Sequence, residues 1–202
     1  MRNFAERYSL VDKQLYVEPG FCIFAAVLLM VLPVSWILAA FAAGLWHELF
    51  HIAAIICVNG HVEKIRINVG GAEIETQLSG GFSEIIVALA GPAGSFLLLI
   101  LYKHFTKLAV CGLVHGLYNM LPIYPMDGGR ALSCFLALLF PDSADRIMKI
   151  IQCTVTAMLF LTAIYGIIIC KVGIWPIFVV YITTVPWIRR KIPCKRGQIR
   201  VQ

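Results

Sequence analysis

Apolar runs of near bilayer length recur along this chain, and they predict six transmembrane helices. A helix rises 1.5 Å per residue and needs roughly 20 apolar residues to cross a bilayer core of about 30 Å. The first apolar region, residues 16–58, is too long for one span, and Pro33 and Ser35 break it into spans at about 20–34 and 35–57. Asn59-Gly60 supplies a stop. A third span covers about 82–102, with Gly91, Ala93 and Gly94 small enough for close helix contact. A fourth begins at 108–118, runs into a Pro- and Gly-interrupted segment at 119–130, and turns apolar again at 131–140. Two more follow at about 147–170 and 172–187. Residues 61–81 differ in kind. Polar and apolar positions alternate over 61–69 and 72–78 around Gly70-Gly71, which predicts a small β-hairpin between helices 2 and 3. The fold class expected is therefore an all-α polytopic membrane protein with that one hairpin.

Composition agrees. The chain is 60% hydrophobic and 14% charged, with mean hydropathy +0.84. A soluble domain cannot hide that much apolar surface. The expected organisation is a cytoplasmic N-terminal segment (1–19), one six-span domain (20–188, hairpin at 61–81) and a basic cytoplasmic tail (189–202). Residues 1–20 are polar and mixed in charge, without the pattern of a signal peptide. The seven cysteines show no C-x-x-C spacing, and most fall in apolar runs, as buried free thiols do.

The net charge of +6 raises nucleic acid as a partner, but its distribution points to a lipid bilayer. Arg189, Arg190, Lys191, Lys195, Arg196 and Arg200 follow the last apolar run directly, where basic clusters meet anionic headgroups on the cytoplasmic side. A dedicated partner site is the alternative. With six spans and cytoplasmic termini, 14 of the 17 Lys and Arg lie on the cytoplasmic side; Lys103, Lys107 and Lys171 face out.

The chemistry sits in the second span. Residues 21–58 hold no Asp, Glu, Lys or Arg except Glu48, which lies in His47-Glu48-Leu49-Phe50-His51. Ionisable groups at bilayer depth cost about 2.5–3.5 kcal/mol each on insertion scales. On a helix His47 and His51 are one turn apart, so both imidazoles can reach one metal, and Glu48 lies beside them to act on a bound water. The alternative is a packing or pore-facing histidine pair with Glu48 as counter-ion. A hydrolytic zinc site needs three protein ligands and an open position. Asp127 is the candidate for the third. Pro122 and Pro125 prevent regular helix before it, Gly128-Gly129 permit positive φ, and such a break is tolerated where it lines a cavity. The alternative is an aspartate that caps the helix from Gly128 onward. His115, one turn before Asn119, is read as a packed histidine or one facing the site. His61 and His104 fall in polar links.

The two motifs, His47-Glu48-Leu49-Phe50-His51 and Asn119-Met-Leu-Pro122-Ile-Tyr-Pro125-Met-Asp127-Gly128-Gly129, resemble those of the site-2 protease family of intramembrane metalloproteases, in order and in separation. The resemblance covers about residues 40–136. The six-span layout looks most like the subgroup that cleaves a membrane-tethered sigma-factor precursor during sporulation, without that subgroup's C-terminal nucleotide-sensing domain. The resemblance implies one Zn2+ per chain held by His47, His51 and Asp127, Glu48 as general base, and Asn119 near substrate or oxyanion; the alternative for Asn119 is a helix-breaking polar residue. Gly91-Pro92 matches a further family motif in which many members carry Asn three residues after the Pro; this chain has Ser95. The implied substrate is a membrane-tethered protein, with regulatory membrane proteins as further partners and a multi-pass position in a bacterial inner membrane. The hairpin could pair with an unwound substrate by strand addition or serve as a structural lid. A cation transporter or channel, and an inactive relative that only binds membrane proteins, are the competing readings.

Overall fold

The computed structural model describes residues 15–17, 32–68, 71–77, 80–171, 173–174, 176–177, 179–181, 184 and 199–200. Helix α1 spans Val34–Cys57, starting after Pro33 and ending in a Schellman turn. The Gly60 N–H donates to Ile55 O and the Asn59 N–H to Ile56 O. Asn59 takes the left-handed conformation at φ 56°, which asparagine tolerates better than most residues. Helix α2 spans Gly81–Leu97 and tightens into a 3-10 turn over Leu98–Leu101. Helices α3 (Thr106–Asn119) and α4 (Asp127–Leu139) flank a loop, and α5 covers Ala144–Cys170.

Among the described residues four strands form one sheet in the order β1-β2-β3-β4. Strands β2 (His61–Asn68) and β3 (Gly71–Gln77) pair antiparallel, with Ile65 opposite Ile74. Strand β1 (Leu15–Val17) runs parallel to β2, and β4 (Ile199–Arg200) antiparallel to β3. A substrate strand added to this sheet would meet edges already partly occupied by β1 and β4.

Among the described residues three helices are long and apolar enough to cross a membrane: Val34–Cys57, Gly81–Leu101 and Ala144–Ile169. They correspond to the second, third and fifth predicted spans. The first, at about 20–34, lies almost wholly outside the described residues, as does half of the sixth. The predicted fourth span is not one helix. Helices α3 and α4 have 14 and 13 residues, roughly 20 Å each at 1.5 Å per residue, so neither crosses alone. Pro122 and Pro125 keep the chain between them out of a helix.

Helices α1 and α2 pack antiparallel, with Ile55 and Val87 in one buried cluster. Pro92 sits inside α2, where it cannot donate to the carbonyl one turn back. The 3-10 turn has a further effect: the Leu98 N–H turns to Ser95 and Phe96 carbonyls, and Gly94 O accepts the indole N–H of Trp46 at 3.0 Å. Gly94 lies so close to α1 that a β-carbon would collide with the Phe50 ring. Gly112 and Gly116 likewise let α3 approach the end of α2 and its 3-10 turn closely. The start of α3 is tied to the start of α1 by Lys107, whose ammonium donates to Ser35 Oγ at 2.6 Å and lies over the Trp36 ring. Helix α5 docks on α4 through Leu136, Ala144 and Met148. Farther along, Met158, Leu161, Ile164, Tyr165 and Ile168 are exposed, which suits a helix whose outer face meets lipid.

Candidate metal centre

Two side chains one turn apart on α1 and a third from 76 residues or more along the chain meet at the heart of this bundle. His47 Nε2 lies 3.0 Å from Asp127 Oδ2, His51 Nε2 lies 3.2 Å from the same oxygen, and the two Nε2 atoms are 3.1 Å apart. All three residues are buried. Zinc bonds nitrogen and carboxylate oxygen at about 2.0–2.2 Å, so neighbouring ligands of a tetrahedral ion lie about 3.3 Å apart. The observed edges are tighter than this by about 0.1 to 0.3 Å. A buried two-histidine, one-carboxylate set of this size could hold a metal ion.

The helical repeat explains the histidine pair. Residues 47 and 51 are one turn apart on α1, and their rings stand nearly perpendicular, with centroids 4.8 Å apart. Each ring has its second nitrogen engaged by α2: His51 Nδ1 donates to Val87 O at 2.7 Å, and His47 Nδ1 meets Ser95 Oγ at 2.8 Å. An Nδ1–H held by an acceptor leaves Nε2 with its lone pair directed at the shared point, the arrangement that metal-ligating histidines use. Between those two contacts, Gly91 leaves the space the imidazoles fill. A β-carbon there would clash with His51 and come within 2.6 Å of His47 Nε2.

Asp127 arrives by a different route. It is the first residue of α4, and Met126 at the N-cap makes no side-chain cap bond. The expected alternative, an aspartate outside a helix starting at Gly128, is not what forms. Gly128 and Gly129 are not at positive φ; they lie in the first turn of α4. Their lack of side chains serves contact instead, because β-carbons there would strike the backbone of Met120 and Ile123. The loop can thus fold against the start of α4 and aim Asp127 inward. Its other oxygen, Oδ1, accepts from Arg130 at 3.4 Å, one turn on.

Glu48 is half-buried and within electrostatic reach of His51 and Asp127. His115 packs its ring edge-on to His47, with centroids 4.5 Å apart, so of its two expected placements it takes the one against the site. Asn119 is one turn farther along α3, and its amide donates to His115 O at 3.2 Å. His104 lies in the exposed link before α3.

Four contributors escape the motifs. Ser95 was visible as a departure from a family pattern, without a stated role. Arg130 and Glu84 carried a signal, being charges in otherwise apolar segments. Both are buried, and Glu84 accepts from the Cys134 thiol at 2.8 Å. Val87 contributes only a backbone carbonyl, which no side-chain pattern reveals.

No family model matches the chain. A search of curated proteins finds a zinc metalloprotease of Methanocaldococcus jannaschii, 32% identical over 130 residues, covering 57% of this chain and 36% of that protein. The chain thus spans about a third of the length of this relative. Among solved structures, the site-2 protease from Methanocaldococcus jannaschii superposes with TM-score 0.62 at 20% identity, over 89% of this chain and 92% of that one. Fold and site describe a protein with membrane-spanning helices and a buried group that could hold a metal ion. Taken with the two motifs and the sequence relative, they make the chain similar to the site-2 proteases.

Proposed function

We propose that this protein is an intramembrane zinc metalloprotease that hydrolyses peptide bonds within or near the transmembrane segments of membrane-tethered proteins. The observation that carries the reading is the convergence of His47, His51 and Asp127 on one buried point, with Glu48 adjacent. The relative's name, zinc metalloprotease, supports the choice of metal. His47 Nε2, His51 Nε2 and an Asp127 oxygen would hold one Zn2+. When bound, the ion would polarise the scissile carbonyl and supply a more acidic water at neutral pH. Glu48 takes the proton from the attacking water and passes it to the leaving nitrogen. Asn119 is the candidate for contact with substrate backbone. A helical substrate has its backbone groups already paired, so it must unwind locally to offer a carbonyl.

Glu48→Gln tests the reading. The variant should fold and bind zinc, and lose cleavage of a co-expressed single-span substrate by at least about 100-fold. Full turnover would remove Glu48 as the base. Ion flux without cleavage in the unaltered protein would establish a transporter instead.

A six-span topology with both termini cytoplasmic belongs to the same proposal. Residues 15–17, 61–68, 71–77 and 199–200 share one sheet, so an even number of crossings should separate them. The Lys107–Ser35 contact supports one level for the starts of α1 and α3, as the topology requires. The 14-to-3 basic bias supports a cytoplasmic position for the sheet. Cysteine accessibility labelling at Lys103 and Arg196, in a background free of native cysteines, should label opposite sides; labelling from one side would overturn the topology.

A further inference from the structure

We infer that Ser95 is the positioning residue for His47: its hydroxyl holds the imidazole in the tautomer and rotation that present Nε2 to the metal. This rests on the zinc reading above. The two histidines are held asymmetrically. His51 Nδ1 meets a backbone carbonyl, Val87 O, which can only accept and cannot be removed by a side-chain change. His47 Nδ1 meets a side chain, Ser95 Oγ, at 2.8 Å, and the serine is fully buried at 0% exposure.

The three positions that serve the pair, Val87, Gly91 and Ser95, recur every four residues and so lie along one face of α2. Antiparallel packing sets Ser95 against His47 and Val87 against His51. The His47 ring is then confined by Ser95 at Nδ1, by the space at Gly91, and by the edge-on His115 ring. Of these three, the serine alone offers an oxygen to the ring nitrogen. Without it, a buried Nδ1–H has no such acceptor, and the tautomer protonated at Nε2 and bonded to Asp127 becomes favoured. That tautomer cannot ligate a metal through Nε2. Ser95 therefore acts on metal affinity through His47 and needs no contact with substrate.

The experiment compares full-length protein in detergent with Ser95→Ala, and with Ser95→Cys, which keeps the side-chain size but accepts hydrogen bonds poorly. Zinc affinity is read by competition with a chromophoric chelator, and ligand geometry by the visible d–d absorption of the cobalt-loaded protein. Circular dichroism reports whether the helices are intact. Loss of a partner to a ligating histidine typically weakens metal binding by about 10- to 100-fold, and this is the loss expected for Ser95→Ala, with an altered cobalt spectrum. Ser95→Cys should fall between serine and alanine, and it carries the comparison should the alanine variant not fold. Wild-type affinity and an unchanged cobalt spectrum in a folded variant would overturn the inference while leaving the zinc site standing. Failure of the unaltered protein to bind zinc would instead overturn the metal reading, and this inference with it.

Discussion

Gly91 and His51 compete for one space: any β-carbon at position 91 would overlap the imidazole nitrogen that faces Asp127. The absence of a side chain on α2 is thus as much a part of the site as the presence of two on α1. Gly91→Ala should displace one or both rings while leaving the helix intact, since alanine is the better helix former. A displacement of about 1 Å can cost 100-fold in rate. We expect a loss of that order in cleavage together with weakened zinc binding, measured by metal analysis of purified protein. Unchanged zinc content and cleavage would show that the rings can move aside.

His47→Ala and Asp127→Ala should each lose most of the bound zinc, because each removes one vertex of a three-ligand set. Chelator treatment of the unaltered protein should lower its thermal midpoint, since a ligand bound only to the folded state stabilises it by mass action. Calorimetry with and without zinc checks this. Full zinc occupancy in Asp127→Ala would remove that carboxylate from the set.

Arg130→Met should destabilise the protein, zinc-loaded or not. Arg130 is buried and donates to Asp127 Oδ1, and removing one partner of a buried ion pair costs about 3–5 kcal/mol. The 3.4 Å separation points to the lower end. Thermal unfolding in detergent measures the loss. A midpoint equal to that of the unaltered protein would mean that Asp127 needs no such support.

Asn59→Val separates helix termination from chemistry. Position 59 is left-handed, a conformation that costs a residue with a branched β-carbon at least about 1–2 kcal/mol. The variant should be less stable by that amount, and Asn59→Gly should not be. Zinc affinity of the folded protein should be the same in both, because α1 ends two turns after His51. A change in zinc affinity would tie the turn to the site.

The amino-acid pattern by itself determined the helical character of the segments at about 35–57, 82–102 and 147–170, because hydrophobic length and helix-breaking residues act locally. It also determined that His47 and His51 share a face, which follows from the helical repeat alone. Alternation around Gly70-Gly71 marked the strands, but their pairing with residues 15–17 and 199–200 joins segments far apart in sequence. Asp127 stood out only beside the histidine motif. Nothing local says that a carboxylate 80 residues away will reach His47; that depends on a helix broken at Pro122 and folded back on Gly128 and Gly129. Tertiary structure alone decided what supports the ligands. The Val87 carbonyl is a backbone group that every residue carries, Gly91 matters only because α1 packs against it, and Ser95 and Arg130 acquire roles from neighbours the chain order does not bring near. Local sequence encodes periodicity and termination, whereas the site is a set of long-range contacts that exist only once the helices have packed.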